Sequence, residues 1–380
     1  MMKWIFSPPV EPALVQALRR ELQLPAFVAS HLVRLGVDDP AIAAGFLQPR
    51  LKTLSDPFQL PGMERAVTRI LQALDRRERI VLYGDYDVDG VTSLALFTKL
   101  LKAAGADPKP FLPLRMDEGY GLTPDGVKRC VETYRPQLLI TVDCGTSAVA
   151  EITALQNEGV DVLVFDHHEA AAELPPCIAL VNPKLGDDFH YLCSAGVVFK
   201  ACHALLKRRP IPGFDLREQL DLVALGTIAD IVPLTGENRI LVHHGLKQIA
   251  ETNSAGLRAL VEITGIKAPL SPSDVGFRLG PRLNAGRAAG HGRGGARFIT
   301  HRRSGPGANA GRHARPAKPR AAGGGKPDPA RGREADCRNF RRHPRRGDRG
   351  ERTGLASRRD RHRGLAADAA APPAGLRDCL

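Results

Sequence analysis

The sequence has few aromatic residues, no long apolar run and no paired cysteine motif. Aromatic residues make up only 5% of the 380 residues, so the sequence does not identify a stacking surface. No run approaches the roughly 18 apolar residues that a membrane span needs. The seven cysteines are an odd number without a CxxC pair, which favours reduced thiols and a cytoplasmic protein. The opening segment MMKWIFSPPVEPAL is broken by prolines and an acid, so we expect no export signal.

The excess positive charge lies entirely in the last quarter of the chain. Of the 54 Lys+Arg and 41 Asp+Glu residues, residues 1–285 hold 30 and 33, a net charge of −3. Residues 286–380 hold the remaining 24 and 8, a net charge of +16, with 17 glycines and 22 arginines. Apolar residues there follow neither a helical nor a strand period, which predicts disorder. The overall charge of +13 is therefore no argument that residues 1–285 bind nucleic acid.

Short apolar runs alternate with helical periodicity after residue 63. This alternation is typical of an α/β fold with a parallel sheet flanked by helices. Strands are predicted at 80–83, 138–142, 162–165 and 178–181. Helices are predicted near 92–104, 124–134, 147–158, 194–208, 215–229, 238–250 and 256–264. Residues 1–62 are predicted to form a helical lead-in that prolines break into short pieces.

Acidic residues stand at the ends of four predicted elements. They are Asp85, Asp87 and Asp89 in GDYDVDG, Asp143 in TVDCGTS, Asp166 beside His167 and His168 in VFDHHE, and Asp230 in ALGTIADIVPL. Because ligands of such sheets bind beyond the carboxyl ends of the strands, we expect these groups to meet in one crevice. Carboxylates held together need positive charge or protons. Carboxylates suit Mg²⁺ or Mn²⁺, imidazole favours Mn²⁺, and two ions sharing a carboxylate are typical of phosphoryl transfer.

Each motif also has a structural interpretation when taken alone. The DxD segment could cap a helix, the DHH segment could be a solvated turn, and Asp230 could simply end a helix. Their joint occurrence favours the metal site. His243 and His244 are interpreted as structural or surface residues, and Cys144 as a small buried residue. DCGTS (143–147) and SAGVVFK (194–200) are candidate helix N-termini that could bind phosphate.

The four acidic motifs, in this order and spacing, resemble those of the DHH phosphoesterase family. NPK at 182–184, SAGVVFK, GPRLNAGR at 280–287 and the lead-in segment at 31–49 resemble its RecJ-like branch of single-strand-specific DNA exonucleases. The resemblance covers about residues 20–285. Related pyrophosphatases have a histidine where this chain has Tyr83, which also favours the nuclease branch.

The resemblance implies a cytoplasmic 5′-to-3′ exonuclease that uses two Mn²⁺ or Mg²⁺ ions on single-stranded DNA in recombination and repair. A single-strand-binding protein and a helicase are implied partners, and no membrane is implied. The implied metal ligands are Asp85, Asp87, Asp89, Asp143, His167 and Asp230, with Asp143 as the bridging carboxylate. His168, with Asp166 as a further catalytic residue, would stabilise the scissile phosphate. The implied substrate contacts are Ser194, Gly196, Arg282, Asn284 and Arg287.

The likeness ends at about residue 285, where this chain reads LNAGR and its relatives read LNAAGR. We hypothesise that residues 286–380 are read out of frame, because segments at 296–304, 313–326 and 351–357 become RecJ-like when suitable codons are read in one shifted frame. The expected organisation is a lead-in (1–62), a DHH catalytic domain (63–235), a helical connector (236–285) and a tail in place of a second lobe. A natural basic tail is the alternative, and the nucleotide sequence around Asn284 decides between them. We expect weak or no processive activity from this chain.

Three alternatives to this function remain open on sequence alone. A phosphodiesterase of this family could act on short oligonucleotides or cyclic dinucleotides. A non-catalytic protein could bind nucleic acid through the basic tail, with an affinity that falls steeply with salt. The product could also be non-functional.

Overall fold

Five parallel strands form one sheet within residues 8–113 and 119–288, the part of the chain that the computed structural model describes; side chains are described up to residue 285. The strands are β1 (Ile80–Gly84), β2 (Lys109–Phe111), β3 (Leu138–Val142), β4 (Asp161–Phe165) and β5 (Ala179–Val181). Their order across the sheet is β2-β1-β3-β4-β5. This order reverses direction between β1 and β3, the position where doubly wound sheets bind their ligands. The predicted α/β class with a parallel sheet is confirmed.

Helices cover both faces of the sheet and form the segments before and after it. They are α1 (Pro12–Leu22), α2 (Ala26–Arg34), α3 (Pro40–Leu47), α4 (Met63–Asp75), α5 (Val88–Ala103), α6 (Pro124–Tyr134), α7 (Val149–Asn157), α8 (Ser194–Arg208), α9 (Leu220–Ala229), α10 (Gly236–Ala250), α11 (Ala255–Thr264), α12 (Pro272–Asp274) and α13 (Gly280–Ala288). A π-helical turn, Val275–Leu279, joins α12 to α13. No helix in the described part of the chain is long and apolar enough to cross a membrane. The predicted disordered tail falls almost entirely outside the described residues.

Strand side chains alternate between two apolar cores. Leu82 and Ile140, which are paired in register, pack on the face covered by α4, α5 and α8. Val81 and Leu139 point to the opposite face, where they join buried residues of α6 and α7. Every residue of β1 and β3 is buried. This burial on both faces explains why the central strands appear in the sequence as continuous apolar runs.

The lead-in has a small core of its own. Leu18, Leu32 and Ala43 of α1, α2 and α3 are almost fully buried there. Prolines stand at the first position of α1 and α3, where the missing N–H has no helical partner to lose. The guanidinium of Arg239 on α10 lies 3.6 Å above the ring of Phe46, which connects this core to the rest of the chain.

Three elements differ from the sequence-based expectation. The edge strand β2 is only three residues long and contains Pro110, a residue that sheets accept at their edges. Helix α7 begins at Val149, so the prediction that DCGTS (143–147) opens a helix is wrong, and residues 143–148 form a loop between β3 and α7. The run from α12 through α13 lies largely within the predicted helical connector, but no individual helix was predicted there, because the run contains three glycines within residues 275–286 and is shared between α and π geometry.

Candidate metal centre

Polar residues follow four neighbouring strands at one level of the sheet. The last residues of the strands are paired in register: Gly84 with Val142, Val142 with Phe165, and Phe165 with Val181. The next residue of each strand therefore falls in one row across the sheet, in the order Asp85, Asp143, Asp166 and Asn182. Asp85 and Asp143 follow β1 and β3, the two neighbouring strands between which the strand order reverses. The crevice expected from the sequence is located here.

Asp143 is a buried carboxylate in a left-handed backbone conformation. Its φ is 63°, in the left-handed region that few non-glycine residues adopt. The residue is 1% exposed, and neither carboxylate oxygen accepts a hydrogen bond from any residue that the structure describes. Burial, together with the charges of Asp89 and Asp87, raises its pKa well above the usual value. A buried acid without hydrogen bonds, surrounded by other acids, fits a bound cation.

His167 joins Asp143 to two acids from distant parts of the chain. Its Nε2 lies 3.3 Å from Oδ1 of Asp143, 3.8 Å from Oδ2 of Asp89 and 3.7 Å from Oδ2 of Asp230. Burial is the main reason that the pKa of His167 is lowered to about 4. The imidazole is therefore neutral at physiological pH, which is the form that binds metal ions.

The candidate ligand atoms fall into overlapping groups of three. In each group the oxygen or nitrogen atoms all lie within 4.8 Å of one another. The groups are Asp85, Asp87 and Asp143; Asp89, His167 and Asp230; and Asp143, His167 and His168. Asp143 and His167 each belong to two groups, and of these two residues only the carboxylate of Asp143 has two oxygens with which to bind two ions. The structure thus brings together all six predicted ligands, and their metal-binding role remains a prediction.

Asp89 is held by the N-terminus of α8. Its Oδ2 accepts a hydrogen bond of 2.7 Å from the backbone N–H of Ser194, and its Oδ1 one of 2.9 Å from that of Ala195. Burial, and then the charge of Asp230, raises the pKa of Asp89 to about 8. Ser194 and Gly196 are buried, so in this structure the segment supports a carboxylate. Their predicted contact with substrate remains untested.

Asp230 ends α9 and reaches the site because α9 packs against α5 and α8. Burial, followed by the charge of Asp87, raises its pKa to about 6. The Cα of Gly226, one turn earlier, faces α5 and α8. A Cβ there would lie 2.6 Å from Oδ1 of Asp89 and 2.7 Å from the Cβ of Ala195. Only a residue without a side chain permits this close approach.

Asp166 organises the loop that carries the two histidines. Its Oδ1 accepts hydrogen bonds from the backbone N–H of His167, at 2.8 Å, and from Nδ1 of His168, at 2.7 Å, while Oδ2 accepts one from the N–H of Thr146. Burial alone would raise the pKa of Asp166, but the hydrogen bonds from His168 and Thr146 hold it far below its usual range. The same contact raises the pKa of His168, which is half exposed. This pair can present a positive charge at the edge of the acidic cluster.

Asn182 is a site residue that the sequence analysis did not assign. It is fully buried, and its Nδ2 donates to Oγ1 of Thr146 at 3.0 Å and to the carbonyl of His168 at 2.9 Å. Its amide therefore connects the loop after β3 with the loop after β4. Its position directly after the apolar run at 178–181 is the signal that could have identified it.

Two tyrosines next to Asp85 were also missed. The rings of Tyr86 and Tyr120 pack edge to face with their centroids 5.3 Å apart. The hydroxyl of Tyr120 hydrogen-bonds with Asp85, and burial together with this carboxylate raises the pKa of the phenol. Tyr120 is nevertheless 56% exposed, so an aromatic surface stands beside the acidic cluster. The sequence shows no periodic signal for Tyr120, because it lies in a loop between β2 and α6.

The remaining predicted residues have simpler environments. Cys144 is buried with a raised pKa, and His244 Nε2 lies 3.2 Å from the carbonyl of Pro49, so both structural interpretations are confirmed. On α13, Arg282 donates from Nη1 to the carbonyl of Arg278 at 2.7 Å, and Asn284 is exposed. The side chain of Arg287 lies outside the described residues.

The fold and the cluster define an α/β domain with a candidate two-metal centre. A family model described as the N-terminal domain of the DHH family matches residues 79–227, which contain five of the six predicted ligands. Residues 79–227 therefore form a domain of the DHH family.

Similar proteins support this assignment. The single-stranded-DNA-specific exonuclease RecJ of Bacillus subtilis is 40% identical over 288 residues, which are 75% of this chain and 36% of that protein. RecJ of Escherichia coli is 38% identical over 71% of this chain and 50% of its own length. The crystal structure of Thermus thermophilus RecJ in complex with Mn²⁺ matches with a TM-score of 0.68 and 32% identity, covering 81% of this chain and 43% of that one. The chain thus spans between a third and a half of the length of these relatives.

Proposed function

We propose that this chain is the catalytic lobe of a metal-dependent phosphodiesterase that removes nucleotides from the 5′ end of single-stranded DNA. The observation that supports it most directly is the convergence of Asp89, Asp143 and Asp230 on Nε2 of His167. The relatives named as single-strand-specific exonucleases support the choice of substrate. A role in recombination and repair in the cytoplasm, with a single-strand-binding protein and a helicase as partners, extends the same proposal.

The residues of the centre fit two Mn²⁺ or Mg²⁺ ions. Asp85, Asp87, Asp143, His167 and Asp230 would hold the ions, and Asp143, whose buried oxygens accept no hydrogen bond from the described residues, is the candidate for the shared carboxylate. Bound ions of this kind supply charge neutralisation at the phosphate and activate the attacking water. Asp89, fixed by two N–H groups of α8, keeps its carboxylate oriented before any ion binds.

The chain's own groups would position the substrate around the ions. His168, whose pKa is raised by the hydrogen bond to Asp166, would in its protonated form donate to an oxygen of the scissile phosphate and stabilise its negative charge. Tyr86 and Tyr120 would provide the aromatic surface for a terminal base, a type of contact that tolerates every base.

Residues 63–235 would form the catalytic domain, residues 1–62 its lead-in and residues 236–285 a connector. Arg282, Asn284 and Arg287 at the end of the connector would bind phosphates of the strand. The hypothesis that residues 286–380 are read out of frame concerns a part of the chain of which the structure describes only residues 286–288, and the nucleotide sequence tests it.

Digestion of labelled DNA tests the proposal. The full chain with Mn²⁺ is given a 5′-labelled single strand, its duplex and a dinucleotide. We expect short products from the single strand, slower attack on the duplex, and an order of release that begins at the 5′ end. Asp143→Asn keeps a residue type that tolerates a left-handed backbone and should abolish hydrolysis.

Asp125→Asn, at an exposed position on α6, is the matched control and should retain activity. Hydrolysis that survives Asp143→Asn would contradict the proposal. Preference for the dinucleotide over the single strand would instead favour the phosphodiesterase of short oligonucleotides.

A further inference from the structure

Ile231 is a large apolar residue that the fold holds in solvent beside the candidate metal centre. It follows Asp230 directly and is 88% exposed, the most exposed large apolar side chain in the described part of the chain. Its φ is 60°, a left-handed conformation. A β-branched residue is a genuine outlier there, because its Cβ crowds the backbone.

The left-handed backbone at Ile231 has a local cause, but nothing local explains why the residue there is isoleucine. The N–H of Ile231 donates to the carbonyl of Ile228 at 3.2 Å, which closes the C-terminal end of α9. Helices commonly end with one left-handed residue, and glycine or asparagine usually occupies that position because neither is strained there. Isoleucine is strained at this helix end and gains almost no burial in return. Strain of this type at a site edge is an indication of function.

The position of Ile231 follows from its neighbour. Oδ2 of Asp230 lies 3.7 Å from Nε2 of His167, and consecutive Cα atoms are only about 3.8 Å apart. A second exposed apolar residue, Phe277, is 80% exposed on the π-helical turn Val275–Leu279. This turn packs against α9, since a Cβ on Gly276 would lie 3.7 Å from Cγ2 of Ile228. An exposed apolar side chain, that of Ile231, thus directly follows a candidate ligand of a strongly acidic cluster.

An exposed apolar side chain next to the metal centre is suited to the sugar and base of a nucleic acid and not to its phosphates. Charges of both signs act on Asp230, that of Asp87 on one hand and those of His168 and Lys184 on the other, whereas the side chain of Ile231 offers a phosphate neither a charge nor a hydrogen bond. Sugars and bases present neutral, largely apolar faces that suit an exposed isoleucine. A rigid β-branched side chain loses little conformational freedom in such a contact.

We propose that Ile231 is a substrate-contacting residue whose side chain packs on the sugar and base of the nucleotide next to the scissile phosphate. The proposal rests on the proposed nuclease function and extends it to a particular contact. The contact is apolar, so it contributes affinity for a single strand of any sequence. The fold keeps isoleucine at a position suited to glycine because the side chain is used in binding.

Three variants at this position separate contact from structure. Ile231→Gly and Ile231→Asn relieve the backbone strain and remove the apolar group, so the melting temperature should stay the same or rise. The kcat/KM for digestion of a 5′-labelled single strand should nevertheless fall roughly tenfold to a hundredfold. This is the loss in rate that corresponds to the free energy of burying one isoleucine side chain. Ile231→Leu keeps an apolar side chain and should retain most of the activity. Ile42→Asn is the matched control, because Ile42 is 63% exposed on α3, and it should have no effect on digestion.

The second measurement is the binding affinity for a single-stranded oligonucleotide that has unmodified bases and a 5′ fluorophore. The affinity ratio between the native chain and Ile231→Asn should be about the same at every salt concentration, because an apolar contact releases no counterions. Equal digestion and equal affinity in the native chain and Ile231→Gly would overturn the proposal while the nuclease function stands. A native chain that neither digests nor binds a single strand at high salt would overturn both. If the native chain binds without digesting, the affinity ratio alone decides.

Discussion

The Cα of Gly226 faces the carboxylate of Asp89 so closely that a methyl group on it would lie 2.6 Å from Oδ1. The same methyl group would lie 2.6 Å from Oγ1 of Thr92 and 2.7 Å from the Cβ of Ala195. Helices α5, α8 and α9 therefore meet at this glycine, and α9 carries Asp230 into the site at its end. The close approach of the three helices positions both acids.

Gly226→Ala should consequently damage stability and metal binding together. The added carbon has no flexible neighbour to displace, so α9 must move away from α5, and overpacking of this type costs about 1–3 kcal/mol. Gly45→Ala is the matched control, since Gly45 lies inside α3 with no atom within 4 Å of the added carbon. There alanine should stabilise the chain by about 0.8–1 kcal/mol through helix propensity. Urea unfolding and Mn²⁺ titration of both variants test this, and equal effects would contradict it.

Metal ions should stabilise the native chain through Asp143. At a Mn²⁺ concentration one hundred times the dissociation constant, the gain is about 2.7 kcal/mol, which corresponds to roughly 5–10 °C in melting temperature. Asp143→Asn should lose this gain, whereas Asp125→Asn should keep it. In EDTA, Asp143→Asn should melt above the native chain, because it removes a buried carboxylate that its acidic neighbours destabilise. Melting curves with and without Mn²⁺ measure both effects, and a Mn²⁺ gain retained by Asp143→Asn would show that Asp143 is not a ligand.

Lys200 and Glu237 form a buried ion pair between α8 and α10. Nζ of Lys200 is 2.6 Å from Oε2 of Glu237 and 2.9 Å from the carbonyl of Ser55. Lys200→Met leaves a buried carboxylate without its partner and should cost about 3–5 kcal/mol. Lys207→Met removes a half-exposed pair with Asp56 and should cost less than about 1 kcal/mol.

The double variant Lys200→Met, Glu237→Gln separates charge from packing. Without the unpaired carboxylate, it should recover a large part of the stability that Lys200→Met loses. Denaturant unfolding of the three variants gives the comparison. If the double variant is as unstable as Lys200→Met, the loss is due to packing and the ion pair is not its cause.

His203 should make stability depend on pH. Burial, and then the charges of Lys200 and Lys207, lowers its pKa to about 4, whereas an unfolded histidine has a pKa of about 6.5. The unfolded chain therefore binds more protons between these values, so stability is present above pH 6.5 and is lost as the pH falls. Between pH 7.5 and pH 5 the loss should be about 2 kcal/mol.

His203→Gln should remove this part of the pH dependence, and His31→Gln, at an exposed position on α2, should leave it unchanged. Unfolding free energies at the two pH values give the result directly. An identical pH dependence in the native chain and His203→Gln would exclude this histidine as the source.

Much of the site could be predicted because it lies at strand ends. Asp85, Asp143 and Asp166 each follow an apolar run, and in a parallel sheet such residues share one edge. Asn182 stands in the same row, but its amide is uncharged, and a search for charged metal ligands does not identify it. Tyr120 lies in a loop after a three-residue strand, where periodicity carries no information.

The sequence by itself determined the sheet and the chemical character of its carboxyl edge, since apolar runs followed by acids and histidines lead to one arrangement whatever the helices do. Only the tertiary structure decided that α8 orients Asp89, that Gly226 brings α9 close enough for Asp230 to reach His167, and that Ile231 stands strained and exposed beside them. The first two features depend on contacts of Asp89 on α5 with residues of α8 and α9 more than a hundred positions later, and no local pattern of residues encodes such contacts. The third depends on how α9 ends.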